Sequence, residues 1–483
     1  MKRNSGKIAE TVALVVMACA LFLAVVFAVI HFTGQKSTEE QSSESLPTED
    51  MTRVSDTDGG SSETGLGSSG PENEAPTGSN QASDTEPEAE EGSGDTADSG
   101  EESGNSQENT PQGAESAEGS ESPTEQESAP AEESEAGPEQ APALPEALLA
   151  NMSTREKVYQ LFMVFPSAVT GVSPVTKAGD RTRQALADYP VGGFIYDKTN
   201  MVSRAQVTEM LTKVQTYSKI PLILTCDEEG GRVNRLMSTV GTTYIDSMMS
   251  YRDQGPEKAA ENAEIIAKDL VSCGFNTDLA PVADVWSNPE NKVIGDRAYS
   301  DDFAQAATLV ASAVEGFHAG GVACTLKHFP GHGDTAADSH TGAAYVTKTL
   351  EELRSGELLP FQAGIDAGAD MVMIGHLTVS DIEEVPALFS YRIVTELLRE
   401  EMGFEGVVIT DSLQMKAVTD YYDSGQAAVL AIQAGVDILL CPEDLEAAAN
   451  ALINAVETGV ITEERLNESA LRILRLKEKM GIL

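Results

Sequence analysis

Short apolar runs alternate with helix-like stretches from about Pro145 to the C-terminus, and this alternation predicts an α/β fold built on parallel strands. Eight such runs favour a (β/α)8 TIM barrel over a doubly wound sheet. A third observation is chemical, because ionisable residues stand where the runs end. Asp227 closes LILTCD, Asp284 closes LAPVAD, Lys327 and His328 close CTLKH, His376 closes MVMIGH, and Asp411 closes VVITD. Taken singly, an Asp after a strand is a turn residue or helix cap. Five ends of this kind suit a barrel, which gathers the C-terminal ends of its strands around one mouth.

In chain order, the barrel is expected to follow a transmembrane helix and a disordered acidic linker. Val12 to Phe32 is apolar apart from His31, about the 20 residues that span a bilayer. A secretory signal has a shorter apolar region and a small-residue cleavage site, so an uncleaved anchor is favoured over a cleaved signal and secretion. Lys2, Arg3 and Lys7 precede the run, which places the N-terminus in the cytoplasm and the remainder outside the cell. Residues 36–143 are mainly Ser, Glu, Gly, Pro, Thr and Asp, with too few large apolar residues to offset chain entropy. Residues 36–150 hold 30 Asp and Glu against Lys36 and Arg53, a net of −28 out of −46 for the chain. A surface of this sign excludes nucleic acid as a partner. The expected units are residues 1–35 (cytoplasmic stub and anchor), 36–143 (linker) and 144–483 (barrel).

Within the barrel, Ser153 and Glu156 have capping-box spacing and open its first helix. The strand candidates are 161–165, 193–196, 222–227, 278–284, 323–328, 371–376, 407–411 and 437–441. Helices are expected over 204–218, 256–273, 302–318, 350–366 and 390–402, among others. Cys226, Cys273, Cys324 and Cys441 are scattered through apolar segments without CxxC spacing and read as small buried residues. No metal-ligand spacing, phosphate loop or dinucleotide fingerprint is present, so no cofactor or metal is expected.

The segment Lys327 to His340, KHFPGHGDTAADSH, is poor packing material, rich in Gly, His and Asp. Such a loop can carry a His over a substrate, and a carboxylate two residues away can hold the ring's other nitrogen and raise its basicity. This string resembles the signature of glycoside hydrolase family 3, in its single-domain β-N-acetylglucosaminidase branch, and the resemblance extends from about Pro145 to the C-terminus.

The resemblance implies a set of roles. GVVITDSLQM is similar to the family's nucleophile strand, which makes Asp411 the carboxylate that forms a covalent glycosyl-enzyme; read locally, Asp411 is a helix N-cap. His340 would be the general acid and then the base, oriented by Asp338. In the family's two-domain members a second domain supplies this group. Here the chain runs only about 70 residues past Asp411, so the loop is expected to do so. CDEEGGRVNR is similar to the family's sugar-binding loop. Asp227 would accept from two sugar hydroxyls, Arg235 would assist, and Gly230 and Gly231 would let backbone approach the ligand. Arg232 could equally pair with Glu228 or Glu229. Lys327 and His328 would donate to hydroxyls. Arg297 matches an arginine near the acetamido group; otherwise it forms a surface ion pair with Asp296 or Asp301. His376 matches a family His or is wall structure. Asp284 is expected to order the loop that carries Arg297, and His332 and Asp334 to shape their own.

The implied activity is retaining exo-hydrolysis of non-reducing terminal N-acetylglucosamine, with peptidoglycan fragments as substrate and a monomeric catalytic domain. β-Glucosidase, β-xylosidase and phosphorylase activities on the same fold remain open. From another class, so does a cell-wall-binding module without catalysis. A single spanning segment is too little for a transporter.

Overall fold

The computed structural model describes residues 143–335 and 344–483. The expected anchor and linker lie outside the described residues. Among those described, no helix is long and apolar enough to cross a membrane.

Ten strands form. They are β1 (Phe162–Val164), β2 (Gly193–Ile195), β3 (Ile223–Cys226), β4 (Thr277–Asp278), β5 (Thr325–Phe329), β6 (Ala344–Val346), β7 (Met371–Ile374), β8 (Leu377–Val379), β9 (Val407–Thr410) and β10 (Leu439–Leu440). All eight expected strands are present, and every pairing between named strands is parallel. One sheet runs β10-β1-β2-β3-β4 and another β5-β7-β9. Parallel bridges from Thr277 to Ala323 and from Ile409 to Ile438 link their ends. The strands are short apolar runs, and their residues are almost all buried, as expected where helices cover a parallel sheet.

Three expectations change. The strand expected over 278–284 shrinks to Thr277–Asp278, because Pro281 has no N–H for a ladder; Val282 bridges Lys327 alone. The single helix expected over 350–366 is two, Leu350–Ser355 and Leu358–Asp366, parted at Gly356 and at Glu357, whose buried carboxylate turns to Lys348. β6 and β8 were not expected and pair beside the main sheets. The capping box does form: Ser153 Oγ accepts from Glu156 N at 3.2 Å, and Glu156 Oε2 from Ser153 N at 2.9 Å.

Charged groups pin the N-terminal ends of the strands. Asp437, fully buried before β10, accepts from Arg399, from Arg472 at 3.3 Å and from Ser469 Oγ at 2.6 Å, with Arg465 at 3.6 Å. Asp370, before β7, pairs with His318 at 2.8 Å and Lys479 at 2.5 Å and accepts from Cys324 N at 3.0 Å. Such pairing is the condition for burying a charge. The four described cysteines are buried and unbridged.

Lys477, in the C-terminal helix Glu463–Lys479, is fully buried, and its Nζ donates to Gln160 Oε1 at 2.7 Å. Burial pushes its ammonium down to about 7. The unfolded chain therefore holds this proton more tightly between about pH 7 and pH 10, and the lysine destabilises the fold increasingly as pH falls across that window. In melting experiments, Lys477→Met is expected to gain a few degrees relative to wild type on going from pH 9 to pH 6. A difference independent of pH would contradict this account.

Candidate active site

The turn after β3 organises the site. Glu228 points inward, and its carboxylate accepts the N–H groups of Arg235 at 2.5 Å, Leu236 at 2.8 Å and Met237 at 3.0 Å, capping the helix Leu236–Val240. Gly230 and Gly231 adopt φ of 88° and 51°, where a side chain is disfavoured. A Cβ on Gly231 would lie 2.8 Å from Ser247 Cα. These glycines serve the turn and its packing against residues 245–247.

This turn delivers Asp227, Glu229 and Arg235 to one place. Asp227 accepts from Lys327 Nζ at 2.9 Å and Arg235 Nη2 at 3.1 Å. Glu229 is 2% exposed and receives Arg297 through Nε at 2.8 Å and Nη2 at 2.9 Å, and Lys327 Nζ at 2.6 Å. Burial alone would raise the Glu229 carboxyl, yet Arg297 and Lys327 hold it far below the usual carboxylate range. Burial likewise opposes the Lys327 ammonium, but Asp227 and Glu229 raise it above its ordinary value.

Arg297 thus pairs with neither Asp296 nor Asp301. Arg232 takes Asp296 at 2.9 Å and three backbone carbonyls, and Arg252 takes Asp301 at 2.5 Å. The expected pairing of Arg232 with Glu228 or Glu229 is also absent, because both carboxylates are spent elsewhere.

Asp284 is buried. It accepts from His328 Nδ1 at 2.7 Å, His328 N at 3.1 Å and His332 N at 2.6 Å. Desolvation would raise its carboxyl, but His328 and His332 lower it. Asp284 therefore orders the segment after β5 instead of the loop of Arg297. Asp334 pairs with Lys348 at 3.4 Å.

Asp411 follows β9, and its Oδ1 accepts Ser412 N at 2.7 Å. Desolvation opposes its charge, but His376, His328 and the Ser412 N–H together hold the carboxyl below its usual range, so it is ionised at neutral pH. His376 is buried, and its Nε2 lies 2.8 Å from the Ser412 carbonyl. That contact ties the turn after β7 to the turn carrying Asp411.

A cavity of about 980 Å³ opens on these groups. Its lining includes six sequence candidates, Asp227, Arg235, Arg297, Lys327, His328 and Asp411. His376 stands behind the lining. Asp338 and His340 lie outside the described residues. Glu229 was missed as a site residue; the only trace of it in the chain is an acid two places past a strand end. An ionised carboxylate facing a cavity walled with fixed N–H donors can attack an electrophilic carbon and hold a polyhydroxyl ligand.

One group of metal-ligating types occurs among the described residues. His318, Cys324 and Asp370 offer atoms within 4.8 Å of one another. It lies at the opposite strand ends from the cavity, and Lys479 already occupies Asp370.

Removing the shared acceptor of His328 and His332 by Asp284→Ala is expected to cost about 3–5 kcal/mol, the usual loss when one partner of a buried pair is deleted. Urea unfolding checks this, and a cost below about 1 kcal/mol would mean that the pair is not stabilising.

Residues 153–476 match the family model described as "Glycosyl hydrolase family 3 N terminal domain". A relative from Pseudoalteromonas piscicida named "Beta-hexosaminidase A" is 35% identical over 327 residues, covering 62% of this chain but only 55% of its own length. A "Beta-hexosaminidase" from Xanthomonas oryzae pv. oryzae is 34% identical over 302 residues, covering 61% of this chain and 87% of its own. Among solved structures, a glycoside hydrolase family 3 β-N-acetylglucosaminidase from Paenibacillus sp. str. FPU-7 superposes with a TM-score of 0.65 at 38% identity, over 68% of this chain and 63% of that one.

Proposed function

The chain belongs to glycosyl hydrolase family 3, and on that premise we propose that it is a retaining exo-β-N-acetylglucosaminidase. The observation that carries this reading is Asp411, a carboxylate held ionised at a cavity whose walls present Lys327, Arg297, Arg235 and His328. The names of the relatives and of the solved neighbour support the choice of sugar. The eight principal strands are read as a closed (β/α)8 barrel, supported by the two parallel bridges that link the ends of the sheets.

In this mechanism Lys327, Arg297, Arg235 and Asp227 hold the hydroxyls of a terminal N-acetylglucosamine. Asp411 attacks the anomeric carbon as His340, oriented by Asp338, protonates the departing glycosidic oxygen. A covalent glycosyl-enzyme results. His340, now neutral, takes a proton from water as the water attacks the same carbon, and Asp411 leaves. Two inversions give net retention. His376 and Asp284 act by placing Asp411 and His328. Peptidoglycan fragments are the proposed substrate. The apolar run at Val12 to Phe32 and the acidic segment after it support a membrane-anchored domain working outside the cell as a monomer.

The test is release of 4-nitrophenol by the full chain from the β-N-acetylglucosaminide and the β-glucoside, with and without phosphate. Turnover of the acetamido sugar alone, unaffected by phosphate, is expected. Turnover of the glucoside alone overturns the choice of sugar, a phosphate-dependent rate makes the enzyme a phosphorylase, and silence on both substrates favours a binding module. Asp411→Asn is expected to lose turnover by 10³-fold or more while keeping its melting temperature, by about the scale at which catalytic nucleophiles act. Activity within tenfold of wild type would remove Asp411 from this role. His340→Ala should slow substrates with poor leaving groups roughly 10²–10⁴-fold and activated aryl glycosides far less; equal losses on both would mean that His340 is not the acid.

A further inference from the structure

Glu229 is a buried carboxylate that the mechanism above does not use. Resting on the proposed glycosidase reading, we propose that Glu229 is a positioning residue: it fixes the donor geometry of Arg297 and Lys327 and cancels their charge, so that the cavity admits a neutral sugar and excludes an anion such as phosphate.

Geometry supports the first part. A guanidinium has five N–H donors in a rigid fork. Glu229 engages Nε at 2.8 Å and one Nη2 donor at 2.9 Å, and the Val293 carbonyl takes Nη1 at 3.1 Å. The guanidinium cannot rotate without breaking this bidentate pair, so the two donors that find no partner among the described residues keep one orientation. Lys327 has three donors, of which Glu229 takes one at 2.6 Å and Asp227 another at 2.9 Å. Among the described residues the third donor has no partner, which leaves it to a ligand. Glu229 itself is 2% exposed and its oxygens are committed to these two cations, so it acts through its neighbours and not on substrate.

Charge supports the second part. Five Lys and Arg and five Asp and Glu line the cavity, so its formal charge balances only while Glu229 is ionised. Without that carboxylate, Lys327 and Arg297 would lose the one anion that bonds to both, and Asp227 on Lys327 with the more distant Asp284 and Asp411 would remain, leaving the lining with one surplus positive charge in a desolvated wall. Such a site attracts phosphate.

The experiment compares full-length wild type, Glu229→Gln, Glu229→Asp, Arg297→Met and the Glu229→Gln/Arg297→Met double variant. Inorganic phosphate binding is followed by calorimetry, and KM and kcat are measured on the aryl N-acetylglucosaminide. Glu229→Gln should bind phosphate at least tenfold tighter than wild type and raise KM at least tenfold, by more than kcat falls. Glu229→Asp keeps the charge but withdraws the carboxylate, and should raise KM with phosphate affinity at the wild-type level. The double variant should raise KM by less than the product of the two single effects, because the share that Glu229 exerts through Arg297 is already lost and only its hold on Lys327 remains. Phosphate binding by Glu229→Gln no tighter than wild type, KM within twofold in both single variants, or additive effects in the double variant each overturn the proposal. If Glu229→Gln does not fold, Glu229→Asp decides: a raised KM supports positioning, and an unchanged KM overturns it. The phosphate arm needs no turnover. Failure of the glycosidase reading would appear separately, as an inactive wild type.

Discussion

The cavity depends on one requirement: charges taken out of water must be paired. Lys327 is 2% exposed and Glu229 equally so, and neither would remain ionised there alone. Asp227, Lys327, Glu229 and Arg297 form a continuous chain of contacts between 2.6 and 2.9 Å. The chain draws together the ends of β3 and β5 and the segment carrying Arg297. Deleting one member would strand its partners in a site of low dielectric, which is a larger penalty than the loss of one hydrogen bond. The donors that face the cavity are rigid because their other hydrogen bonds are already made.

A second carboxylate does the same work for the imidazoles. Asp284 binds both backbone and ring of His328 and the backbone of His332, so the segment after β5 leaves the sheet along a fixed path. Asp411 differs from Asp227, Glu229 and Asp284. Among the described residues, its carboxylate accepts only the adjoining Ser412 N–H and bonds to no cation, and its charge is favoured by the nearby His376 and His328 and more weakly by Lys327. A carboxylate held ionised without a tight ion pair keeps its lone pairs available for reaction.

The two ends of the strands divide their labour. At the C-terminal ends, charged residues face the cavity and hold a ligand site open. At the N-terminal ends, Asp437 and Asp370 bind arginines, His318 and Lys479 among packed helices, where charges serve the fold alone. Both ends contain buried Asp with cationic partners, so composition by itself does not separate chemistry from stability.

The chain's own pattern determined the parallel α/β architecture, because strand and helix periodicities and the order of alternation are local properties. It also determined which ionisable residues close the strands, and four of those, Asp227, Lys327, His328 and Asp411, line the cavity. Tertiary structure alone decided the partners. Arg297 finds Glu229, 68 residues away, instead of the neighbouring Asp296; Arg232 takes Asp296; and Asp284 serves His328 near the end of β5 and His332 beyond it. Glu229 is the last of three consecutive acids, Asp227 to Glu229. Only folding turns Glu228 to a helix N-terminus and Glu229 to a buried ion network. The physical reason is that periodicity records which face of an element is buried, whereas an ion pair depends on where separate elements meet in space, and short-range pattern carries no record of that meeting.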